Sequence, residues 1–228
     1  MANKKSKVQA QQANNNVGEA VSRTEEYIEK NKKTLSIIAI AIIVVIVGIW
    51  ALNHFYFQPR QEKALAALSA GEKLFEAGDF DCALDGDNNE FEGFDAIIKE
   101  FKGTKAANLA KAYAGIAKAQ LGQYAEAIPY LQKFKGKDSM IAPSVLAALG
   151  NCYAQTEDYA KAAATLLKAA KKADNNVLSG SYLLQAGQLF EQLGNKSEAL
   201  KAYKTIKEKY YQSTQASDID KYIERVSK

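Results

Sequence analysis

The chain has 228 residues and a formal net charge of +4, and 47% of its residues are hydrophobic and 25% charged. With only 3 Pro, this composition is typical of an ordered, helical protein of one or two folded units. Residues 1–33 carry seven basic against four acidic side chains, whereas the remaining 195 residues carry 23 against 22. A nearly neutral main domain is a poor electrostatic partner for nucleic acid, so no nucleic-acid partner is expected.

The first segment of the chain is polar. Residues 1 to about 21 are rich in Gln, Asn, Lys and Ala and have too few apolar side chains to form a core, which predicts a disordered lead. Ser22 followed by Glu25 forms a capping box, which predicts the start of a helix. We expect this helix to cover 22–57, first beside a membrane and then within it.

The second segment has the length and composition of a transmembrane helix. No Asp, Glu, Lys or Arg occurs in residues 34–59, which contain the run LSIIAIAIIVVIVGIWAL. At 1.5 Å per residue this run crosses a hydrocarbon core of about 30 Å. Leu35 begins the anchor, and Trp50 and Tyr56 belong to an aromatic cluster at its far end. A cleavable signal peptide is the rival interpretation, but it requires a shorter apolar run and a shorter lead.

The flanking charges predict the orientation of this helix. Lys30, Lys32 and Lys33 precede the apolar run, and Arg60 and Lys63 follow it. The positive-inside rule therefore places the N-terminus in the cytoplasm and residues 60–228 across the membrane. Contact with membrane lipid is expected through the anchor.

Three later segments, which begin at Asn108, Pro143 and Gly180, share one internal pattern. In each, a Gly in a first helix is followed after a turn by an Ala in a second helix, and a large residue comes four positions after that Ala. The three sets are Gly115, Ala127 and Leu131; Gly150, Ala162 and Leu166; and Gly187, Ala199 and Tyr203. Helices approach closely only where a side chain is absent or small, and the large residue then fixes their angle.

This pattern resembles the tetratricopeptide repeat, which has a period of 34 residues. The Gly spacings here are 35 and 37. The chain departs from the family at Lys118, which stands where the other segments have an aromatic residue, at Lys196, and in lacking a terminal Pro. The resemblance implies an all-α solenoid in which the first helix of each repeat lines a concave face.

A fourth copy lies upstream and carries extra residues. Gly71 and Ala83 match the pattern, but the spacing from Gly71 to Gly115 is 44, ten more than the expected period. We therefore predict an insertion at 85–94, inside the second helix of the first repeat. Apolar residues at helical spacing in 219–226 predict a last helix that closes the solenoid. The expected fold is about four helix pairs plus this C-terminal capping helix.

The insertion contains a sequence that resembles a calcium loop. Asp85, Asp87 and Asn89 fit the first three ligand positions, but Glu90 occupies the place of the required Gly and Ala96 that of the bidentate Glu. We therefore interpret the stretch as a polar excursion without a metal, and a metal-regulated binding module is the less favoured alternative. The candidate contact residues for a membrane partner are Asp85, Asp87, Asn88 and Asn89.

The repeat register predicts which side chains face the concave groove. They are Ile116, Gln120, Ala147, Asn151, Gln155, Leu184, Gln188 and Gln192. Such an amide-rich, weakly apolar groove suits an extended or helical segment of another protein. The alternative is that several of these Gln side chains are only solvated. Ala112 and Ile116 stand where a Lys and Asn clamp for a C-terminal carboxylate would begin, so that function is not expected.

Catalytic chemistry is not expected. The one His in the sequence, His54, lies among the anchor's aromatic residues, and neither a phosphate-binding loop nor zinc-ligand spacing occurs. Cys82 and Cys152 are 70 residues apart, and we expect two buried free thiols rather than a disulfide. The chain is therefore predicted to be neither an enzyme nor a cofactor-binding protein.

The order of a short lead, a single anchor and a repeat domain is similar to that of the YfgM family. The local likeness is carried by EEYIEKNKKTLSIIAIAII and by GTKAANLAKAYAGIAKAQLGQYAEAIPYL. The resemblance implies a single-pass protein of the bacterial inner membrane with a periplasmic repeat domain. It also implies an ancillary subunit of the Sec translocon that works with PpiD, a membrane-anchored prolyl-isomerase-like chaperone, on emerging secretory clients. The alternative is an envelope scaffold or adaptor in outer-membrane assembly or cell division.

Overall fold

The computed structural model describes residues 29–87 and 91–228, and within these ranges the secondary structure is helical, with no strand. Its contacts divide the chain into two units, Met1–Gln58 and Pro59–Lys228. The predicted lead, with Ser22 and Glu25 of the capping box, lies outside the described residues.

The first unit contains helix α1, Lys32–Leu52, which is followed by a turn of π-helix at Asn53–Phe57. No side chain of α1 is buried, although nearly all are apolar. Trp50 stacks on His54 with ring centroids 5.4 Å apart. The helical stretch that begins at Lys32 is long and apolar enough to cross a membrane.

The second unit is a series of antiparallel helix pairs. The first helices of the pairs are α2 (Gln58–Glu76), α5 (Lys105–Gln120), α7 (Ile141–Gln155) and α9 (Ser179–Gln192). The second helices are α3 (Phe80–Asp85) with α4 (Gly93–Glu100), then α6 (Tyr124–Lys133), α8 (Tyr159–Ala173) and α10 (Lys196–Lys209). A 3₁₀ turn, Thr214–Asp218, leads into α11 (Ile219–Ser227). The predicted all-α solenoid is therefore confirmed.

Side-chain caps begin several of these helices. Asp79, Asp158 and Asn195 each stand before a second helix, and each accepts a hydrogen bond from the backbone N–H three residues later. Such a bond satisfies one of the backbone donors that a helix N-terminus leaves free. The short turns between paired helices therefore have the same local construction in three of the four repeats.

In each later pair, the predicted contact between a glycine of the first helix and a large residue of the second helix is present. A Cβ at Gly115 would lie 2.6 Å from the Leu131 side chain, and one at Gly150 would lie 2.9 Å from Leu166. Gly187 likewise faces the ring of Tyr203, which is fully buried. The absence of a side chain on the first helix therefore sets the distance at which the second helix packs.

In the first repeat a different residue fills the equivalent space. The position four residues after Ala83 is Asp87, but the rings of Phe91 and Phe94 lie against Gly71 instead. The second helix ends at Asp85, and the helical backbone resumes at Gly93. Because polar residues lie between them, the side chains that pack against Gly71 come from further along the chain than in the later repeats.

The last helix covers the end of the solenoid. Ile219 and Val226 are buried and join the core cluster that contains Tyr203 and Ile206. The guanidinium group of Arg225 donates two hydrogen bonds to the Glu191 carboxylate, from Nε at 2.8 Å and from a terminal nitrogen at 2.7 Å. The Tyr203 hydroxyl donates to the same carboxylate. Apolar burial and one charged contact thus hold α11 against the final repeat.

Candidate interaction groove

An apolar cavity of about 310 Å³ lies between the first helices of the second and third repeats. Helix α5 contributes Leu109, Ala112, Tyr113 and Ile116, and the opposite wall consists of Met140, Ile141, Ser144 and Val145. Met140 and Ile141 are 56% and 50% exposed, which is unusual for large apolar side chains and leaves this surface open to a ligand.

Tyr113 forms a fixed wall of this apolar cavity. Its ring stacks on Phe94 with centroids 5.4 Å apart, and it meets Phe75 edge-on at 5.1 Å. Burial and then a hydrogen bond to Glu72 raise the pKa of the Tyr113 hydroxyl to about 12. The hydroxyl therefore remains protonated at physiological pH, and the ring is held in place from both sides.

A second, amide-lined cavity of about 250 Å³ lies between the next two first helices, α7 and α9, so that α7 contributes to both cavities. Its lining residues are Asn151, Ala154, Leu166, Gln185, Gln188, Leu189 and Gln192. Carboxamide groups both donate and accept hydrogen bonds, so they can pair with the backbone of a bound segment without requiring a charge on it. Gln185 already donates to Ser181 Oγ at 3.3 Å.

The predicted groove residues fall into three environments. Ile116 lines the apolar cavity, and Asn151, Gln188 and Gln192 line the amide cavity. Gln120 and Gln155 are exposed near the ends of their helices. Ala147 is buried, at 5% exposure, and Leu184 packs against the same core cluster, so these two side chains support the groove from beneath.

The sequence prediction omitted most of the apolar cavity. Leu109 and Ala112 precede Ile116 by seven and four positions, which is one face of a helix, and this spacing was available in the sequence. Met140 and Ile141 lie at the entry of α7, where Asp138 accepts hydrogen bonds from the N–H groups of both residues. They precede Ser144 and Val145 of the same cavity wall by four positions each, so once α7 begins here, helical spacing brings them to the cavity.

Two of the candidate contact residues in the polar excursion, Asp85 and Asp87, lie within the described part of the chain. Asp85 is exposed, and one carboxylate oxygen of Asp87 accepts a hydrogen bond from the N–H of Phe91 at 3.1 Å. Asn88 and Asn89 lie outside the described residues. No group of three His, Cys, Asp or Glu side chains suited to a metal ion occurs among the residues that the structure describes.

The two thiols are both free. Cys152 is buried, and Cys82 is partly exposed on α3, so the expectation of two buried thiols is correct for one of them. Burial raises the pKa of the Cys152 thiol to about 11. A hydrogen bond with Asp79 is the main cause of a raised pKa at Cys82. Neither thiol therefore has the lowered pKa of a reactive cysteine.

Comparison with known proteins supports the repeat assignment. The tetratricopeptide repeat family matches residues 145–178, a segment that spans most of α7, the turn and all of α8. The comparison with curated proteins gave no match. The matched segment is one of the three later helix pairs that share the same contact between a glycine and a large residue, and repeats of this kind generally form concave protein-binding surfaces. The folded unit of this chain is an all-α tetratricopeptide-repeat solenoid.

Proposed function

We propose that this chain is a membrane-tethered protein-interaction module that holds a segment of a partner protein in its concave groove. The observation that carries the proposal is the presence of two cavities between successive first helices, one apolar between α5 and α7 and one lined by carboxamides between α7 and α9. An apolar side chain of the partner would fill the first cavity, and the neighbouring backbone would pair with the amides of the second.

The lining chemistry favours an uncharged segment. Neither of these two cavities has a Lys or Arg among its lining residues. A clamp for a chain-terminal carboxylate requires a cation or a convergent set of donors, whereas Ala112 and Ile116 present only hydrocarbon at the corresponding positions. An internal, weakly apolar segment, such as an unfolded secretory chain exposes, fits this groove better.

The anchor and the family resemblance support a location. Three lysines lie at or just before the start of α1, and in the proposed topology these remain in the cytoplasm while residues 60–228 occupy the periplasm. We infer an ancillary role at the Sec translocon, with a PpiD-like chaperone or emerging clients as occupants of the groove. The tether would raise the local concentration of the groove near such chains.

Site-specific photo-crosslinking in cells tests the proposal. A photoreactive amino acid at Ile116 or Gln188 should crosslink to translocon subunits, to a PpiD-like chaperone or to nascent secretory chains. The matched control is the same amino acid at Lys204, which is exposed on the second helix α10. Strong crosslinks from Lys204 with none from the groove would overturn the groove assignment. Crosslinks from the groove only to outer-membrane assembly or division proteins would overturn the translocon role.

A further inference from the structure

A third cavity lies beside the apolar cavity of the groove, on a neighbouring face of α7, and Val145 contributes to both. Its volume is about 460 Å³. Leu131, Phe134 and Leu149 contribute to its apolar floor, and Lys135, Lys137 and Lys172 form its rim. We refer to it as the lysine-rimmed cavity.

The apolar floor of this cavity is recessed. Leu131 and Val145 are each 3% exposed and Leu149 is 7% exposed, so these side chains lie beneath the surface. A recess accepts a side chain that is inserted into it. It does not itself insert into a lipid bilayer, because membrane surfaces are penetrated by apolar side chains that protrude.

The backbone at the rim is fixed from two sides. The Asn108 carboxamide donates to the Lys135 carbonyl at 2.8 Å and accepts from the Lys135 N–H at 3.0 Å. Lys172 Nζ donates to the Gly136 carbonyl at 2.8 Å. The Lys135 and Lys137 side chains remain exposed above this ordered loop. A ligand would therefore meet a site whose geometry already exists, which lowers the entropy lost on binding.

The positive charge around the cavity is not neutralised within the described part of the chain. No ion pair there includes a rim lysine, or Lys111 and Lys133 nearby. Burial, and then the charges of Lys135 and Lys133, lower the pKa of Lys111, which shows that these cations repel one another.

The acidic residues next to the rim lysines in sequence are engaged elsewhere. The Asp138 carboxylate accepts hydrogen bonds from three backbone N–H groups at the start of α7. Asp174 pairs with Lys209 at 2.7 Å and accepts a hydrogen bond from Tyr210. An anionic ligand would therefore complement the positive charge of the rim lysines.

We propose that the lysine-rimmed cavity binds an acidic protein segment that inserts an apolar side chain, as a second interaction surface distinct from the concave groove. The carboxylates of the segment would pair with Lys135, Lys137 and Lys172, and the inserted side chain would contact the apolar floor. A protein segment fits better than a lipid headgroup, because the cavity offers an apolar recess directly between the cations.

Peptide binding to the full chain in uncharged detergent micelles tests this proposal. The probe is a fluorescent peptide of sequence EEDFEELD, and its anisotropy measures Kd. One control peptide, QQNFQQLN, lacks the charges, and another, EEDAEEAD, lacks the apolar side chains. Each control peptide should bind about ten-fold more weakly or worse, and added salt should weaken binding of the probe because it screens the charges. Equal binding of all three peptides would overturn the proposal.

Charge reversal at the rim provides a second test. Lys135→Glu combined with Lys137→Glu should weaken probe binding about ten-fold or more. The matched control, Lys73→Glu combined with Lys204→Glu, changes the charge equally at exposed positions outside the cavity lining and should alter Kd less than two-fold. An equal loss of probe affinity in both variants would show that the probe does not bind at the lysine-rimmed cavity.

Competition with an anionic lipid distinguishes a peptide-binding site from a lipid-binding site. Soluble short-chain phosphatidylglycerol, added below its micellar concentration, should displace the probe only weakly. Displacement at concentrations below the Kd of the probe, and abolished by the two rim substitutions, would overturn the peptide assignment in favour of an anionic lipid.

Discussion

One residue in each turn between paired helices has a left-handed backbone. The four equivalent positions are Gly78, Gly122, Glu157 and Gly194, with φ between 63° and 79°. Glycine adopts this conformation without steric cost, whereas a residue with a Cβ is strained by about 1–2 kcal/mol. Glu157 is therefore the strained member of the set, and its side chain is exposed.

We predict that Glu157→Gly raises the stability of the solenoid. The strain removed exceeds the flexibility that glycine adds to the unfolded chain, so a net gain of about 0.5–1 kcal/mol is expected. Urea unfolding followed by circular dichroism measures the shift in midpoint. Glu157→Ala is the matched control, because it removes the carboxylate but keeps the Cβ, and it should leave the midpoint nearly unchanged. An equal rise in both variants would attribute the gain to the charge and not to the backbone.

The reverse substitution should have the opposite sign. Gly122→Ala places a Cβ at a left-handed position that is otherwise open, with no atom within 4 Å, so backbone strain is the only cost. We expect a loss of about 1 kcal/mol by the same unfolding measurement. A neutral result would mean that the turn relaxes, and it would weaken the prediction for Glu157 as well.

Alkylation should distinguish the two thiols. The Cys152 thiol is 1% exposed and has a pKa of about 11, so at pH 8 only about one in a thousand carries the reactive thiolate. Iodoacetamide, with mass spectrometry as the readout, should modify Cys82 in the folded protein well before Cys152. In urea both should react at similar rates. Rapid labelling of Cys152 without denaturant would show that α7 opens readily.

Residue spacing predicted the close helix contacts but not the strained turn. The contact of Gly150 with Leu166 follows from the repeat pattern, because the physical requirement for a missing side chain is local and periodic. The signal for Glu157 was present only in the repeat register, because the other three repeats have glycine at this position; the glutamate itself gives no sign of a left-handed backbone.

At the scale of single elements, the second helix of the first repeat shows how a polar excursion is tolerated. Gly86 and Gly93 both have positive φ, and their backbones lie too close to the facing chain for a Cβ. Asp87 and Phe91 are joined by two hydrogen bonds, which close the excursion at its base: the Asp87 N–H donates to the Phe91 carbonyl, and the Phe91 N–H donates to the Asp87 carboxylate. The helical packing then resumes with Phe94, which is fully buried.

Phe91→Ala should therefore destabilise the first repeat substantially. The ring is 4% exposed and fills the space over Gly71, so its removal is expected to cost about 3 kcal/mol or more. Glu92→Ala, an exposed neighbour, is the control and should change stability by less than about 0.5 kcal/mol. Hydrogen exchange in α2 and α4 would localise the effect. Similar stability of both variants would mean that Phe91 is not part of the core.

The sequence predicted where the second helix of the first repeat is interrupted, but not which residue packs against Gly71. The ten extra residues predicted the position of the interruption, but the repeat register reaches the polar Asp87 four positions after Ala83 and so predicts no packing residue there. Phe91 takes that role because the chain turns at Gly86 and Gly93, and such a turn depends on tertiary contacts that spacing does not encode.

The C-terminal helix should make stability depend on pH through Glu191. Arg225, and then Tyr203, hold the pKa of this carboxyl below its usual 4.5. Its contribution is therefore present above about pH 4.5 and is lost as pH falls through the lower folded-state value. In Glu191→Gln, unfolding midpoints should decline less on acidification than in the wild type. Glu198→Gln, which removes a surface pair with Lys201, is the control. An identical acid response in the wild type and Glu191→Gln would contradict the assignment.

At the scale of the whole molecule, the cavities that α7 helps to line have different chemistry. The two groove cavities offer hydrocarbon and carboxamides without a cation in either lining, whereas the lysine-rimmed cavity has three lysines around an apolar floor. A near-neutral chain can therefore present two surfaces that select different segments. The net charge of +4 gave no sign of this arrangement, because acidic residues elsewhere balance the lysines.

The orientation of the anchor yields the last prediction. Alkaline phosphatase requires disulfides that form outside the cytoplasm, so a C-terminal fusion should be active in the proposed topology. Replacing Lys30, Lys32 and Lys33 with Gln, together with Gln58→Lys, shifts the positive charge to the far side of α1. Fusion activity should then fall, because the segment inserts in both directions or inverts.

Three lysines of α10 provide the matched control. Replacing Lys201, Lys204 and Lys207 with Gln removes the same number of charges far from the anchor in sequence, and fusion activity should be unchanged. If the unmodified C-terminal fusion were inactive and an N-terminal fusion active, the proposed topology would be wrong and the groove would not lie in the periplasm. Because only charges within about 15–20 residues of a transmembrane segment orient it, an equal response to both sets would instead indicate a folding defect.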